Sequence, residues 1–186
     1  MAVKEVKLST IEEVLTTLTT AEFNDALKRN RSAFLFRGLP NVSYKLTTSL
    51  RWNCKGKAGE LEPSILRNFS KYAASTSPLN SCWEQMVIGQ HHGLPTRLMD
   101  WTYSPLAALH FATSGEDITG MNQHDAVVWA IDITEMNTLL PAKYQKVLND
   151  ERAYLFTIDM LDRVAKDLTT YDNDMGEDGI VLLEPP

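Results

Sequence analysis

Ala33-Phe34-Leu35-Phe36-Arg37-Gly38-Leu39-Pro40 is an apolar run that is too short for a helix and that ends in glycine and proline. Such a run predicts a buried strand, which carries Arg37 near its carboxyl end. The clearest second strand is DAVVWAIDI, at residues 125–133. Because helical and strand patterns follow one another irregularly along the chain, the sequence favours an α+β fold over a regular βαβ repeat.

Apolar residues recur at helical spacing in five segments, namely residues 9–29, 60–72, 81–89, 104–114 and 151–168. The first segment begins with a capping-box pattern, in which Ser9 or Thr10 is followed by Glu12 or Glu13. Thr19–Thr20 is an alternative point at which this segment would divide into two helices. These segments predict helices on the sequence pattern alone.

The other stretches predict loops and short strands. Residues 41–60 are polar and contain glycine, which predicts a long loop with a short strand near residues 45–50. Residues 75–81 are rich in Ser, Pro and Asn and predict a linker. Residues 179–183 predict a final strand. Ser104 followed by proline predicts the start of the fourth helix.

The composition is that of an ordinary globular protein, with 186 residues of which 44% are apolar and 23% charged. We expect an N-terminal helical segment over residues 1–30 and one domain over residues 31–186. The two cysteines form no framework, and no signal peptide is recognisable. No apolar window approaches the roughly 18 residues of a membrane span. These features predict a cytoplasmic protein with no membrane partner.

The charges are distributed unevenly. The formal net charge of −6 argues against a nucleic-acid binder that relies on bulk electrostatics. However, residues 28–97 are rich in Lys and Arg, whereas residues 116–184 are rich in Asp and Glu. A local basic cleft in an acidic chain therefore stays open, and nucleic acid stays among the partners considered.

Arg37 and Gly38 form the first candidate functional segment. An arginine near the end of an apolar strand, followed by glycine, places a fixed guanidinium beside backbone that a ligand can approach closely. Arginine is suited to bidentate binding of phosphate or carboxylate. The alternative is an arginine that pairs with a core carboxylate such as Asp100.

The second candidate segment is QHHGLPTRLMDWT, at residues 90–102. So many polar groups between two apolar helices are costly to bury unless they bond to one another or to a ligand. Adjacent histidines point in different directions, so at most one lines a site, and a structural hydrogen bond is its alternative role. Arg97 and Asp100, three residues apart, predict an internal salt bridge. We expect Arg37 and the turn at His92 to share one cavity.

Several other kinds of site find no support in the sequence. The histidines and cysteines show no HExxH or CxxC spacing, so we expect no metal site. The sequence contains no Walker A run, no GxGxxG and no GxSxG.

Three parts of the sequence together resemble the FRG domain, a family named for its Phe-Arg-Gly core. They are Phe36-Arg37-Gly38, Ser49-Leu50-Arg51 and the segment from residue 90 through Ser104-Pro105 to Ala112. The resemblance spans roughly residues 33–184. FRG domains in turn are similar in layout to ADP-ribosyltransferases, which implies a mostly antiparallel, split central sheet flanked by helices. The family continues past the Leu-Leu-Glu-Pro strand, so we expect a truncated or shortened member.

The resemblance implies that NAD is a substrate. It places Arg37 on a phosphate or ribose of NAD and the Gly38 backbone on the nicotinamide amide. It assigns further NAD contacts to Gln90, Thr96, Thr102 and Ser104. The catalytic residues that it implies are Arg37, His92 and Glu184, with Glu184 as the late acid near the ribose.

Three functions follow from these expectations. The leading one is an NAD-using enzyme that modifies a protein or nucleic acid in a toxin or phage-defence setting. The second is a nucleic-acid-processing hydrolase that uses His92 and Asp100 as acid and base. The third is a non-enzymatic module that binds a ligand or a partner such as an antitoxin.

Overall fold

A computed structural model describes residues 3–20, 23–24, 29–30, 33–73, 81–114, 123–176 and 179–184. The chain divides into two compact units, and each is built from two separate stretches of sequence. Unit 1 comprises Met1–Tyr44 and Trp101–Asp132, and unit 2 comprises Lys45–Asp100 and Ile133–Pro186. The segment at residues 90–102 therefore contributes to both units, with the boundary after Asp100.

Unit 1 contains strands and helices: α1 (Ile11–Thr19), β1 (Phe23–Asn24), β2 (Arg29–Asn30), β3 (Phe34–Leu39), α5 (Pro105–Thr113) and β4 (Val127–Asp132). The described part of unit 2 is helical: α2 (Ser49–Cys54), a 3-10 turn (Lys55–Lys57), α3 (Ala58–Ala73), α4 (Cys82–His91), α6 (Ile133–Thr138), α7 (Ala142–Glu151), α8 (Ile158–Val164) and α9 (Leu168–Met175). The α+β class is confirmed. The described strands form two antiparallel pairs, β1–β2 and β3–β4, rather than a broader sheet.

The predicted strand around Arg37 is confirmed as β3, and residues 125–133 supply its partner. The two strands run antiparallel, with Leu35 opposite Ile131 and Arg37 opposite Trp129. Leu35 and Phe36 are buried, as expected for an apolar strand. Strand β3 is therefore the rigid element that positions the Phe-Arg-Gly segment.

Helix α5 packs against β3 at a glycine. A side chain at Gly38 would place its Cβ 2.7 Å from the backbone nitrogen of Ala112 and still closer to the carbonyl oxygen of Ala108. Ala108 and Ala112 are themselves buried. The close approach of helix to strand therefore requires glycine at position 38 and small residues on the facing side of α5.

The helix predicted over residues 9–29 is shorter than expected. Its start is confirmed, because the Thr10 hydroxyl accepts a hydrogen bond from the Glu13 amide while the Glu13 side chain accepts from the Thr10 amide. The helix ends at Thr19, at the break that the sequence offered as an alternative. The chain then forms β1 and β2 instead of a second helix; residues 21–22 and 25–28 lie outside the described part.

Predictions based on weaker patterns were less accurate. The loop expected at residues 41–60 is confirmed only up to residue 48, and the short strand near residues 45–50 is wrong, because Thr48 caps a helix and its hydroxyl accepts from the Arg51 amide. The helix expected over residues 151–168 is replaced by α7, α8 and α9, which meet at turns. The final strand is reduced to one bridge between Leu183 and Phe156. The helices at residues 60–72, 81–89 and 104–114 are confirmed, whereas the linker at 75–81 lies almost entirely outside the described residues.

Unit 2 has its own hydrophobic core, which packs α4 against the C-terminal helices. Its buried members are Leu66, Trp83, Met86, Leu140, Tyr144, Leu148, Phe156, Met160, Leu161 and Ala165. The Trp83 indole N–H donates to the carbonyl oxygen of Ala165 at 2.7 Å, so its polar atom is satisfied inside the core.

We predict that Gly38→Ala lowers the free energy of unfolding by at least about 2 kcal/mol, because the new methyl group collides with the α5 backbone. Urea unfolding measures the change. Gly59→Ala is the matched control, since a Cβ there meets no atom within 4 Å. It should be neutral or stabilise α3 by up to about 1 kcal/mol. Equal effects of the two substitutions would contradict the packing described for α5.

Candidate functional site

The first part of the candidate site lies in unit 1, where β3 carries Arg37 and Gly38. Successive side chains of a strand point to opposite faces of the sheet. Because α5 covers the face toward which a side chain at Gly38 would point, the Arg37 side chain lies on the opposite face. Arg37 is half-buried there.

The backbone of Gly38 lies at an open edge of β3. The amide of Phe36 donates to the Thr102 carbonyl oxygen at 2.7 Å, and the amide of Thr102 donates back to the Phe36 carbonyl oxygen at 2.9 Å. Alternate residues of a strand share an edge, so the N–H and C=O of Gly38 point the same way as those of Phe36. No backbone hydrogen bond joins Gly38 to that edge within the described part of the chain. The edge therefore offers one donor and one acceptor.

Thr102 and Ser104 lie beside this edge, and both hydroxyls have local partners. The Thr102 hydroxyl accepts from the amide of Ser104 at 3.0 Å. The Ser104 hydroxyl accepts from the amide of Ala107 at 3.2 Å and caps α5, as predicted. Each hydroxyl keeps its own hydrogen for donation to a further acceptor.

The second part of the candidate site lies in unit 2, and Thr96 is its centre. Thr96 is almost completely buried, at 1% exposure. Its amide donates to the Ser49 hydroxyl at 3.0 Å, and its carbonyl oxygen accepts from the Leu50 amide at 3.1 Å. The start of α2 therefore fixes the turn that follows Pro95.

Gln90 connects Thr96 to Asp100. The Thr96 hydroxyl donates to Gln90 Oε1 at 2.9 Å, and Gln90 Nε2 donates to Asp100 Oδ1 at 2.6 Å. The amide oxygen and nitrogen of Gln90 are thus both used, which fixes the orientation of its side chain. Gln90 and Thr96, which the sequence associated with a cofactor, are within hydrogen-bond reach of each other.

Arg97 does not form the predicted salt bridge with Asp100. It binds two other carboxylates: its Nε donates to Glu62 Oε1 at 2.8 Å, and its terminal nitrogens bind Asp172. Glu62 lies on α3 and Asp172 on α9. The prediction was wrong because partners close in space but distant in sequence compete with a neighbour three residues away.

The electrostatics of Arg97 follow from these contacts. Burial by itself would lower the pKa of the guanidinium, but the hydrogen bonds that it donates to Glu62 and Asp172 outweigh burial and raise the pKa above its usual value. Arg97 is therefore cationic at every accessible pH. Its role in the described structure is to join α3, the turn and α9.

His92 ends α4, and Gly93 follows it with a φ of +82° that completes the turn. The His92 side chain is exposed, and its ring centroid lies 6.2 Å from that of Phe69. Its ring makes no hydrogen bond to any residue that the structure describes. A histidine that acts as a base is usually oriented by a neighbouring group, and none of the described residues provides one.

Glu184 lies at the end of the chain in unit 2. Its amide donates to the Phe156 carbonyl oxygen at 2.7 Å, which holds the backbone, while its side chain is exposed. Because Arg37 lies in unit 1 and His92 and Glu184 lie in unit 2, the cavity shared by Arg37 and His92 stays a prediction, as does the role of Glu184.

A shallow cavity of about 310 Å³ lies elsewhere in unit 2, lined by Ser81, Cys82, Gln85, Asp162 and Lys166. None of the residues predicted from the sequence lines it. Burial, together with the negative charges of Asp162 and Asp167, raises the pKa of Cys82 to about 11. The thiol is therefore protonated near neutral pH and is a poor nucleophile.

Two kinds of feature are absent from the described residues. No described helix has the length and apolar character that crossing a membrane requires. Within the same residues, no three His, Cys, Asp or Glu side chains cluster as metal ligands would.

Sequence reasoning missed Glu62 and Ser49 as parts of this site. A signal for Glu62 was present: it is a charged residue four positions before the core residue Leu66, on the buried side of a predicted helix. For Ser49 the signal was its place directly after Thr48, a residue type that caps helices, which makes Ser49 the first helical residue. Asp172 had no signal, because its helix was not predicted.

Comparison with known proteins gave one match. Residues 32–119 match the family model described as FRG domain, as the Phe-Arg-Gly strand and the segment at residues 90–102 suggested. No curated protein matches the chain, and no solved structure does.

We predict that Glu62→Gln lowers the free energy of unfolding by about 3 kcal/mol, since it leaves the mostly buried Arg97 side chain beside a neutral group. Asp172→Asn should cost less than about 1 kcal/mol, because the Asp172 side chain is 55% exposed. Urea unfolding of both variants measures the difference. Glu60→Gln, exposed on the same helix as Glu62, should change stability by no more than about 0.5 kcal/mol. Equal costs for the first two variants would show that burial does not set the strength of these pairs.

We also predict slow alkylation of Cys82. In a Cys54→Ser background, the rate with iodoacetamide should rise about tenfold per pH unit from pH 7 to pH 9.5, because the thiolate fraction is still small when the pKa is about 11. The protein unfolded in guanidinium chloride is the control, and its rate should level off near the ordinary thiol pKa of about 8.5. A folded-state rate that levels off below pH 9 would contradict the burial of this thiol.

Proposed function

The chain contains an FRG domain over residues 32–119, and from this premise we propose that it is an NAD-dependent, ADP-ribosyltransferase-like enzyme that modifies a macromolecule. NAD would supply the ADP-ribosyl group when its nicotinamide–ribose bond breaks. The proposal includes a fold similar to that of ADP-ribosyltransferases, in which β3 is the early strand that carries arginine and glycine.

The observation that carries this proposal is the open backbone edge at Gly38. A primary carboxamide such as that of nicotinamide has one acceptor oxygen and two donor hydrogens. The N–H and C=O of a strand residue offer the complementary pair, as they do to an added strand. Because α5 closes the other side of Gly38, the backbone is held rigidly in place for such a ligand.

Arg37 is the residue that would bind the diphosphate or ribose. Its guanidinium is always charged, and its planar set of donors suits two phosphate oxygens at once. Since β3 is paired with β4, the Arg37 backbone is fixed and less entropy is lost on binding. Thr102 and Ser104, each with a hydroxyl hydrogen to donate, are the proposed neighbours of the same ligand.

Glu184 is the proposed acidic residue that stabilises the transition state. Cleavage of the nicotinamide–ribose bond develops positive charge on the ribose, and a nearby carboxylate lowers the energy of that state. His92, Gln90 and Thr96 are proposed to complete the pocket from the segment at residues 90–102. The target is a protein or a nucleic acid, in a toxin or phage-defence setting, and both parts of that statement are proposals.

The test is to incubate the protein with biotin-labelled NAD and a bacterial lysate, then measure free nicotinamide and labelled macromolecules. We predict that Arg37→Ala and Glu184→Gln each reduce nicotinamide release at least about 100-fold, because each removes a charge that the transition state requires. Arg37→Lys should also be strongly impaired, since an ammonium cannot bind two oxygens in the same way.

Arg152→Ala and Glu60→Gln are the controls, because each removes the same kind of charge from an exposed position. They should retain full activity. Thermal unfolding separates loss of chemistry from loss of fold. Wild-type protein that neither binds nor consumes NAD in the presence of the lysate would end the proposal, as would full activity of both Arg37→Ala and Glu184→Gln.

A further inference from the structure

The segment that forms α2, the 3-10 turn and α3 carries an excess of exposed positive charge in an acidic protein. Residues 51–72 contain five Lys or Arg and two Glu, hence a net charge of +3, whereas the whole chain carries −6. All five cations are exposed: Arg51, Lys55, Lys57, Arg67 and Lys71. One of the two glutamates, Glu62, is buried against Arg97, so its charge is already neutralised. We call these five residues the basic surface.

The five cations of the basic surface differ in their pairing from several other cations of unit 2. Lys143, Lys146 and Arg163 each bind a carboxylate. Within the described residues, no ion pair involves any of the five cations of the basic surface. Their charge is therefore available to a ligand.

Two large aromatic side chains lie in the same segment of the chain as these cations. Trp52, on α2, is 74% exposed, and Tyr72, on α3, is 83% exposed. Helix α2 packs against α3, and Arg67 and Lys71 share one side of α3 because they are four residues apart. Exposed aromatic rings beside unpaired cations are the combination that binds nucleic-acid single strands, through base stacking and phosphate contacts.

Lys55 adds a further observation. It has a φ of +50°, a conformation that side chains rarely adopt, and it lies at the end of α2. Glycine would take this conformation without strain. A lysine that is kept at a strained position, exposed and without an ion pair among the described residues, points to a function for its charge.

We propose that the basic surface, together with Trp52 and Tyr72, binds single-stranded nucleic acid. The phosphates lie against the cations, and unpaired bases stack on the two rings. A duplex is disfavoured because its bases are not free to stack. An acidic protein partner would bind the cations, but it would leave the two exposed aromatic rings without a role. The binding needs neither NAD nor Arg37, so it stands or falls separately from the enzyme proposed above.

The test is the fluorescence anisotropy of labelled 12-nucleotide oligo-dT and oligo-U, titrated with the full chain at several salt concentrations. Lys55→Gly should weaken binding and reduce the slope of log K against log salt by about 0.7, the loss of one phosphate contact. Trp52→Ala should weaken binding about fivefold or more through lost stacking. The melting temperature of Lys55→Gly should be unchanged or higher, because glycine relieves the strain.

Arg152→Gly is the matched control. Arg152 is also exposed, also ends a helix and also has a positive φ, of +52°, so its replacement removes the same charge at a helix end outside the basic surface. It should leave binding and the salt slope unchanged. Equal weakening by Lys55→Gly and Arg152→Gly would overturn the proposal, because charge anywhere on the protein would then suffice.

Two further ligands, titrated in the same way, identify the class of molecule that the basic surface binds. A 12-base-pair duplex and a polyglutamate peptide should each bind more weakly than the single strands. Tighter binding of the duplex or of polyglutamate would replace the proposal with a duplex-binding or an acidic-protein surface. The absence of binding to any oligonucleotide up to about 100 µM at low salt would overturn it outright.

Discussion

The Arg97 side chain is only 23% exposed, so its charge needs carboxylates nearby, and the two carboxylates that bind it organise unit 2. Glu62 approaches from α3 and Asp172 from α9, so a single side chain fixes two helices against the turn after Pro95. The turn in turn holds Thr96, which is bonded to the start of α2 and to Gln90. Loss of the central charge would leave two carboxylates without their cation and would release the turn from both helices, which is why this interaction has consequences well beyond its own energy.

Unit 1 depends on a constraint of a different kind, the absence of a side chain. Gly38 lets α5 approach β3 closely, and the same residue presents its backbone at the strand edge next to Thr102. The Phe-Arg-Gly segment thus combines three requirements in consecutive positions. A buried Phe36 anchors the strand, Arg37 carries charge to the opposite face, and Gly38 serves both packing and access.

The strongest local patterns in the sequence led to correct elements. The capping box at Thr10, the apolar run that became β3 and the Ser104-Pro105 helix start are all decided within a few residues. Errors arose where distant contacts decide the outcome. The Arg97 pair was assigned to Asp100 because spacing shows neighbours but not residues 35 or 75 positions away. The helix at Ser49 was missed because it is short and its stability comes from packing and from bonds to Thr96. The proposed site that combines Arg37 with His92 and Glu184 rests on family resemblance, since no local pattern in the sequence encodes it.

The position of Asp172 along the chain bears on how the protein is synthesised. Arg97 leaves the ribosome 75 residues before Asp172, and Trp83 leaves 82 residues before its acceptor at Ala165. At about 5–20 residues per second, roughly 4–15 seconds pass during which Glu62 is the only one of the two carboxylates that can neutralise Arg97. During that interval the nascent chain exposes the apolar surface of α4 that α8 later covers. A chaperone that binds nascent chains would encounter this segment before Asp172 and α8 have been synthesised. Rare codons after residue 100 would prolong the exposure.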